Sequence, residues 1–449
     1  MSAAATSTDA RIVAARAAAP DPQRLAQLAC YGALGLPLAF AALPLYVQWP
    51  AHAAGQWGLP LAGLGALLLG VRVADALLDP WFGRWADRAF ARAPARAWRL
   101  AGGATALVVA GIAGLFLVPA PLPPDAMGLW AWAALLLALT SWGYSVAVVV
   151  HQAWAARLGG GRAAQARWVG AREGLALGGV VIASVLPAWA GWEATVALLA
   201  ALALVAWTLL RRVQPVPDRS AAAAQAHAGP RPAAASPWRE PAFRALLAVY
   251  ALGALASAVP ATLVLFYVRD VLQADDRAAG ALLGLYFVAA ACAMPLWVRV
   301  VARAGEVRAW AAGMGLSVLA FVGAAALGPG DVAAFALVCA ASGLALGADL
   351  VVAPTLLAQL HRRHSAAADP GLWFGWWTLV GKLALALAAG LTLPLLQWLG
   401  YQPGAGAGEG ASALVWTYAA LPCAIKLAAL ALLVAQRRLL QGAPGEALS

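Results

Sequence analysis

Charge is what this sequence has least of. Asp, Glu, Lys and Arg make up 11% of its 449 residues, 63% are hydrophobic, and the mean hydropathy is +0.78. A soluble domain carries about 25% charged residues, so a water-soluble globular fold and a disordered chain are both excluded. Cysteine is nearly absent: Cys30, Cys292, Cys339 and Cys423 all lie in apolar stretches with no CxxC spacing. They read as small buried hydrophobes, not as disulfides or metal ligands. Lysine is the scarcest cation, because among 30 basic residues only Lys382 and Lys426 are lysine. No GxxxxGK[ST] phosphate loop, no HExxH and no convincing Ser/His/Asp arrangement occurs, so the chain is not read as an enzyme and no cofactor is expected. An ion gradient is then the expected energy source. One monovalent cation falling through roughly 100 mV releases about 2.3 kcal/mol, which sustains about a forty-fold solute gradient.

What is present is a series of apolar runs long enough to cross about 30 Å of hydrocarbon. They lie near 25–47, 57–80, 100–119, 127–156, 168–189, 192–210, 243–268, 278–299, 309–328, 332–359, 372–399 and 412–435. These twelve spans define an all-α polytopic protein of the lipid bilayer. The small, polar opening MSAAATSTDARIVAARAAAPDPQR lacks the pattern of a cleaved signal peptide.

Arginine orients the chain. Basic residues gather at the N-terminus (Arg11, Arg16, Arg24), between spans 2 and 3 (Arg84 to Arg99), 4 and 5, 6 and 7, 8 and 9, and 10 and 11, and after span 12 (Arg437, Arg438). The opposite connections carry Asp125, Glu193, Asp331 and Glu409 without arginine; between spans 7 and 8, Arg269 and Arg277 are outnumbered by Asp270, Asp275 and Asp276. The positive-inside rule then makes both termini cytoplasmic, in a bacterial-type inner membrane. It also explains the net charge of +11 without a nucleic-acid partner. The Ala/Pro/Ser-rich segment 213–241 suits a linker between two halves, 25–212 and 242–436, with cytoplasmic tails at 1–24 and 437–449. Two six-helix halves with both termini inside resemble the major facilitator fold.

An ionisable residue in a span costs about 2.5–3.5 kcal/mol on insertion scales, so each is a functional candidate. In span 2, Arg72, Asp75 and Asp79 share one helical face, followed by Pro80. Two carboxylates one turn apart need a cation between them or a shared proton, and oxygen ligands suit a hard ion such as Na⁺. The plainer reading is that both simply pair with Arg72. Asp87, beside Arg84 and Arg88, reads as a gate contact in the turn. Lys382 lies mid-span in WFGWWTLVGKLALALAAG and Lys426 in LPCAIKLAALALL. A compact ammonium can lose its proton or be released from a carboxylate, which arginine cannot do; Lys426 can alternatively snorkel. In RWVGAREGLALGG (167–179), Gly170, Gly174 and Gly178 make GxxxG spacings for a close helix contact. There Arg172 and Glu173 form either a structural network or a substrate contact. Asp349 reads as a cavity aspartate or as the partner of an arginine on a nearby span. Span 4 carries Trp142, Tyr144, Ser145, His151, Gln152 and Trp154, a set suited to orienting a polar organic molecule or to an aromatic belt.

The stretch RVADALLDPWFGRWADR (72–88) resembles the signature R-x-x-D-x-x-x-D-P-x-x-G-x-x-x-D-R of the glycoside-pentoside-hexuronide:cation symporters, the melibiose-permease branch of the major facilitator superfamily. Tyr144-Ser145, Arg167, GADLVVAP in span 10 and WWTLVGK ending at Lys382 extend the resemblance. It implies that Asp75 and Asp79 bind the coupling cation, Na⁺ or H⁺, that Lys382 communicates with them, and that Arg167 helps bind sugar. Members of the melibiose type add an acid in span 4, here aligned with Val148, and another in span 1, where residues 25–47 carry no charge. With H-Q-A-W in span 4 and R-E in span 5, His151, Trp154, Arg172 and Glu173 are the candidates for the roles of the missing acids.

The expectation is therefore a monomeric cation-coupled symporter of a small polar solute, a sugar or glycoside. Its substrate would lie among Tyr144, His151, Gln152, Trp154, Arg167, Arg172, Glu173, Asp349, Trp377 and Thr378, with Arg72 and Lys382 coupling it to the ion. Two alternatives are a lipid or amphiphile flippase on the same fold and a non-transporting assembly factor or sensor.

Overall fold

The computed structural model describes residues 22–118, 123, 127–158, 162–213, 237–364, 370–404 and 410–441. Most of both expected tails and of the linker lies outside them. The described residues are helical almost throughout, because in lipid each backbone N–H and C=O must be paired within its own segment.

The spans are α1 (Leu25–Gln56), α2 (Leu61–Arg92), α3 (Pro94–Phe116), α4 (Met127–Ala156), α5 (162–190), α6 (192–210), α7 (Pro241–Val271), α8 (Asp276–Ala304), α9 (Glu306–Ala324), α10 (Val332–His364), α11 (Pro370–Trp398) and α12 (Ala411–Ala435). Helices α5 and α6 run together as Arg162–Leu210 and are separated only by Gly191, whose φ of 79° no helical residue adopts. Proline opens α3 and α7, where its missing N–H costs nothing. Asp275 caps α8 by accepting the Ala278 N–H at 2.8 Å. Near the same end of the molecule, α1 and α7 each widen into a π-turn, at Pro44–Gln48 and Tyr267–Val271.

The apolar core shows how the halves meet. At the end bearing residues 57–60 and 399–404, a single core joins Leu64 and Leu68 of α2 to Leu263 and Tyr267 of α7 and Leu393 of α11. At the other end, where Ala93 and Gly305 link helices, there are two separate cores: Tyr31, Phe82, Trp154 and Leu210 in the N-terminal half, and Phe243, Trp310, Trp373 and Leu433 in the C-terminal half. The molecule is sealed at the first end and divided at the second.

The seal is built from small residues and hydrogen bonds. A Cβ on Gly65 of α2 would stand 2.9 Å from the Ala389 carbonyl oxygen of α11, so glycine lets these helices touch. The Ala62 N–H donates to Gln397 Oε1 at 2.7 Å. Beside this contact the Tyr401 hydroxyl donates to Asp270, which also accepts the Gly404 N–H at 3.1 Å. Burial, and then this bond to Asp270, push the Tyr401 phenol well above its ordinary range.

The GxxxG expectation is corrected. Cβ atoms on Gly170, Gly174 and Gly178 would meet nothing within 4 Å, whereas one on Gly179 would lie 2.1 Å from the Leu36 carbonyl oxygen. The close approach of α5 to α1 thus uses the next glycine, about 100° further round the helix.

Candidate cation and substrate site

The α2 helix projects Asp75 and Asp79 one turn apart toward α4 and α11. Asp75 is buried, its side chain 6% exposed, while Asp79 and Lys382 of α11 are 26% and 23% exposed. The Lys382 Nζ donates to Asp79 Oδ1 and Oδ2 at 2.7 and 2.6 Å, to Asp75 Oδ2 at 3.1 Å and to Ser145 Oγ at 3.2 Å. The Ser145 hydroxyl of α4 in turn donates to Asp75, 2.8 Å from Oδ1 and 3.0 Å from Oδ2. The two carboxylates and one ammonium leave the cluster one positive charge short of neutral. Carboxylate and hydroxyl oxygens are the donor type that suits a small hard cation, and in this structure the Lys382 ammonium occupies them. Among the described residues no group of three or more His, Cys, Asp or Glu is placed to hold a metal.

Arg72, which the plainer alternative paired with these aspartates, stacks its guanidinium over the Tyr46 ring of α1, 3.9 Å from the centroid. Tyr46 meets Tyr144 of α4 edge to face at 5.7 Å. This fixes Arg72 and both tyrosines as a cationic aromatic wall next to the carboxylates.

The other expected substrate residues scatter. His151 and Trp154 are corrected: each is 1% exposed and tied inside the N-terminal half. His151 Nε2 lies 2.9 Å from the Tyr31 carbonyl oxygen, and the Tyr31 hydroxyl donates back to the His151 carbonyl at 3.1 Å, which locks α1 to α4. Trp154 Nε1 donates to the Val213 carbonyl at 2.8 Å. Gln152 and Arg167 are exposed. Arg172 is paired with its own neighbour Glu173, Nη2 to Oε1 at 2.5 Å, with Glu173 itself 54% exposed. Trp377 stacks on Tyr250 at 3.5 Å between centroids, and Thr378 is exposed. Arg88 is exposed; the Asp87 side chain lies outside those described.

Sequence reasoning missed the partner of Asp349. It is Lys426 of α12, whose Nζ lies 2.7 Å from Asp349 Oδ2, while Trp310 Nε1 of α9 donates to Oδ1 at 2.7 Å. Both lysines of the chain thus pair with intramembrane aspartates, each with a serine hydroxyl within 3.3 Å. The available signal was the scarcity of lysine itself.

The family described as MFS/sugar transport protein matches residues 29–436. The chain belongs to this family. Comparison with curated protein sequences finds no match. Among solved structures, the chain is similar to a D-xylose-proton symporter (16% identity, TM-score 0.64, covering 91% of this chain and 96% of that one). It is also similar to the nucleoside transporter NupG (12%, 0.62, 92% and 99%) and to a bacterial homologue of the iron transporter ferroportin in its inward-facing state (17%, 0.61, 92% and 99%). At these identities the likeness shows the fold. The chain is a multi-pass membrane transporter of the major facilitator superfamily and not an enzyme.

Proposed function

We propose that this MFS transporter couples one monovalent cation, Na⁺ or H⁺, to the uptake of a small polar organic solute, a sugar or a related glycoside. The observation that carries the reading is the charge balance at Asp75, Asp79 and Lys382, where two carboxylates share one ammonium. One further positive charge completes neutrality, and a second would not. An entering cation competes with the Lys382 ammonium for the same oxygens. Because Lys382 belongs to α11 and both aspartates to α2, the competition acts between the halves.

With the lysine bound to both carboxylates, the halves are cross-linked; with the ion bound, the ammonium stays beside the cluster but gives up some of its carboxylate oxygens, and the α2–α11 contact changes strength. A ligand shifts such an equilibrium only by its differential affinity for the two states, and the displaced ion pair supplies that difference. Solute would enter the division between the separate cores and meet Arg72, Tyr144 and Thr378 beside the ion site.

The test is solute uptake into proteoliposomes with and without Na⁺, and across a pH gradient, for wild type and Lys382→Arg. The arginine fork keeps its charge and cannot be released from two carboxylates as readily. Cation-stimulated uptake is expected to disappear while solute binding persists; retained stimulation refutes the scheme.

A further inference from the structure

We infer that the outward stripe of α2, from Leu77 to Arg92, is a binding site for a membrane phospholipid bearing two phosphates. The inference is independent of the ion-coupling scheme, because it concerns the face of α2 turned away from Asp75 and Asp79.

Successive residues of a helix turn by about 100°. Leu77, Trp81, Trp85, Arg84, Arg88 and Arg92 therefore fall inside a sector of about 100°, opposite the two aspartates. Leu77, Trp81 and Trp85 are 66%, 57% and 56% exposed, and the three arginines are exposed as well. The order along the helix follows membrane depth: leucine first, then the tryptophans, then arginines up to the end at Ala93. Arg88 stands about 10 Å beyond Trp81 along the axis. That is the step from the acyl boundary, where tryptophan concentrates, to the headgroup phosphates.

Two observations select an anionic headgroup. No acidic side chain among the described residues is ion-paired with Arg84, Arg88 or Arg92. The stretch 84–99 holds five arginines and a single acid, Asp87, which by helical period lies about 60° outside the stripe. Aromatic rings, not carboxylates, hold the guanidiniums at this corner. Arg84 lies over Trp81 at 5.0 Å, Arg157 over Phe90 at 4.3 Å and Arg211 over Trp98 at 5.4 Å. A ring face orients a guanidinium and leaves its N–H edge open to phosphate oxygens.

Arg84, Arg88 and Arg92 follow one another at about one turn, or about 6 Å, a ladder that suits two linked phosphates better than one. The corresponding corner of the C-terminal half, between α8 and α9, is built differently. There Arg303 and Arg308 flank Glu306, and the large exposed side chains at that end of α8 are Leu296 and Val298. Its tryptophan, Trp297, is buried and donates to the Leu344 carbonyl at 2.7 Å. Lipid held on the α2 stripe thus rests on the helix whose other face carries the ion cluster.

The test is native mass spectrometry of the full chain in detergent, titrated with cardiolipin, phosphatidylglycerol and phosphatidylethanolamine of matched acyl chains. The first cardiolipin is expected to bind at least ten-fold more tightly than phosphatidylethanolamine and three-fold more tightly than phosphatidylglycerol. Each arginine near anionic lipid contributes about five-fold, so the double variant Arg84→Gln/Arg92→Gln should weaken the first cardiolipin at least ten-fold. Arg303→Gln/Arg308→Gln removes the same charge from the other corner and should change it less than two-fold. Trp81→Leu takes away the ring under Arg84 and keeps apolar bulk; it should weaken binding at least two-fold, and it decides the question if the double variant misfolds. Equal binding of cardiolipin and phosphatidylethanolamine, phosphatidylglycerol matching cardiolipin, an equal loss at both corners, or unchanged affinity in folded Arg84→Gln/Arg92→Gln would overturn the site.

Discussion

Replacing Asp79 with asparagine removes one charge and keeps the shape. In the wild-type cluster a cation meets a site of net charge −1; in Asp79→Asn, Lys382 and Asp75 cancel and the net charge is zero. A unit charge about 3 Å from a carboxylate is stabilised by about 5 kcal/mol at an effective dielectric near 20. Asp79 is 26% exposed, so water already returns part of that. Hydrogen bonds to charged groups contribute about 1.5–3 kcal/mol net. An expected loss of about 2–3 kcal/mol corresponds to cation binding weakened roughly 30- to 140-fold. Folding should be little affected, because Lys382 keeps Asp75 at 3.1 Å and Ser145 at 3.2 Å. The assay is calorimetric titration with Na⁺ and Li⁺, together with the pH profile of uptake, so that either coupling ion is read. Cation binding within two-fold of wild type and an unaltered pH profile together would refute the charge argument.

Gly179→Ala should destabilise the protein by about 1–3 kcal/mol, since its Cβ would stand 2.1 Å from the Leu36 carbonyl oxygen. Gly174→Ala, with nothing within 4 Å, should be neutral or stabilising; thermal melts of the two variants side by side decide whether Gly179 makes the contact. Gly65→Leu should wedge α2 from Ala389 and favour the form open at the sealed end, read as increased labelling of a cysteine introduced at Ala62. Tyr401→Phe should cost about 1–2 kcal/mol by leaving Asp270 one donor short. Burial, with Asp270, raises the folded-state ionisation of Tyr401 above its unfolded value. Its stabilising effect is therefore fully present below about pH 10 and declines as pH climbs beyond that; absorbance titration at 295 nm should find this tyrosine among the last to ionise.

Span positions were readable because lipid imposes a length: the run at 127–156 coincides with Met127–Ala156, and the gap between 189 and 192 holds the Gly191 break. The pairing of Asp75 with Asp79 was readable because a helix repeats every 3.6 residues. What a single helix cannot reveal is the face it meets. Arg72 shares the side of the aspartates and still turns to Tyr46 on another helix. Lys382 stands out in the sequence by its scarcity, but its contact with Asp79 spans 303 residues and depends on how α11 closes against α2. His151 and Trp154 carry the same groups whether they face solute or a carbonyl of a neighbouring segment, and here they face carbonyls. The glycine pattern failed for a related reason: spacing defines a stripe, and packing chooses which stripe is used.

The two lysines also make the transporter its own reporter. An amine-acylating reagent finds two side-chain targets in the whole chain. One, Lys426, is 3% exposed and shielded, and the other, Lys382, is 23% exposed and held by the carboxylates. Any ion that frees the Lys382 amine should raise its acylation rate, so mass spectrometry of the unmodified protein can follow the coupling event without a single engineered residue.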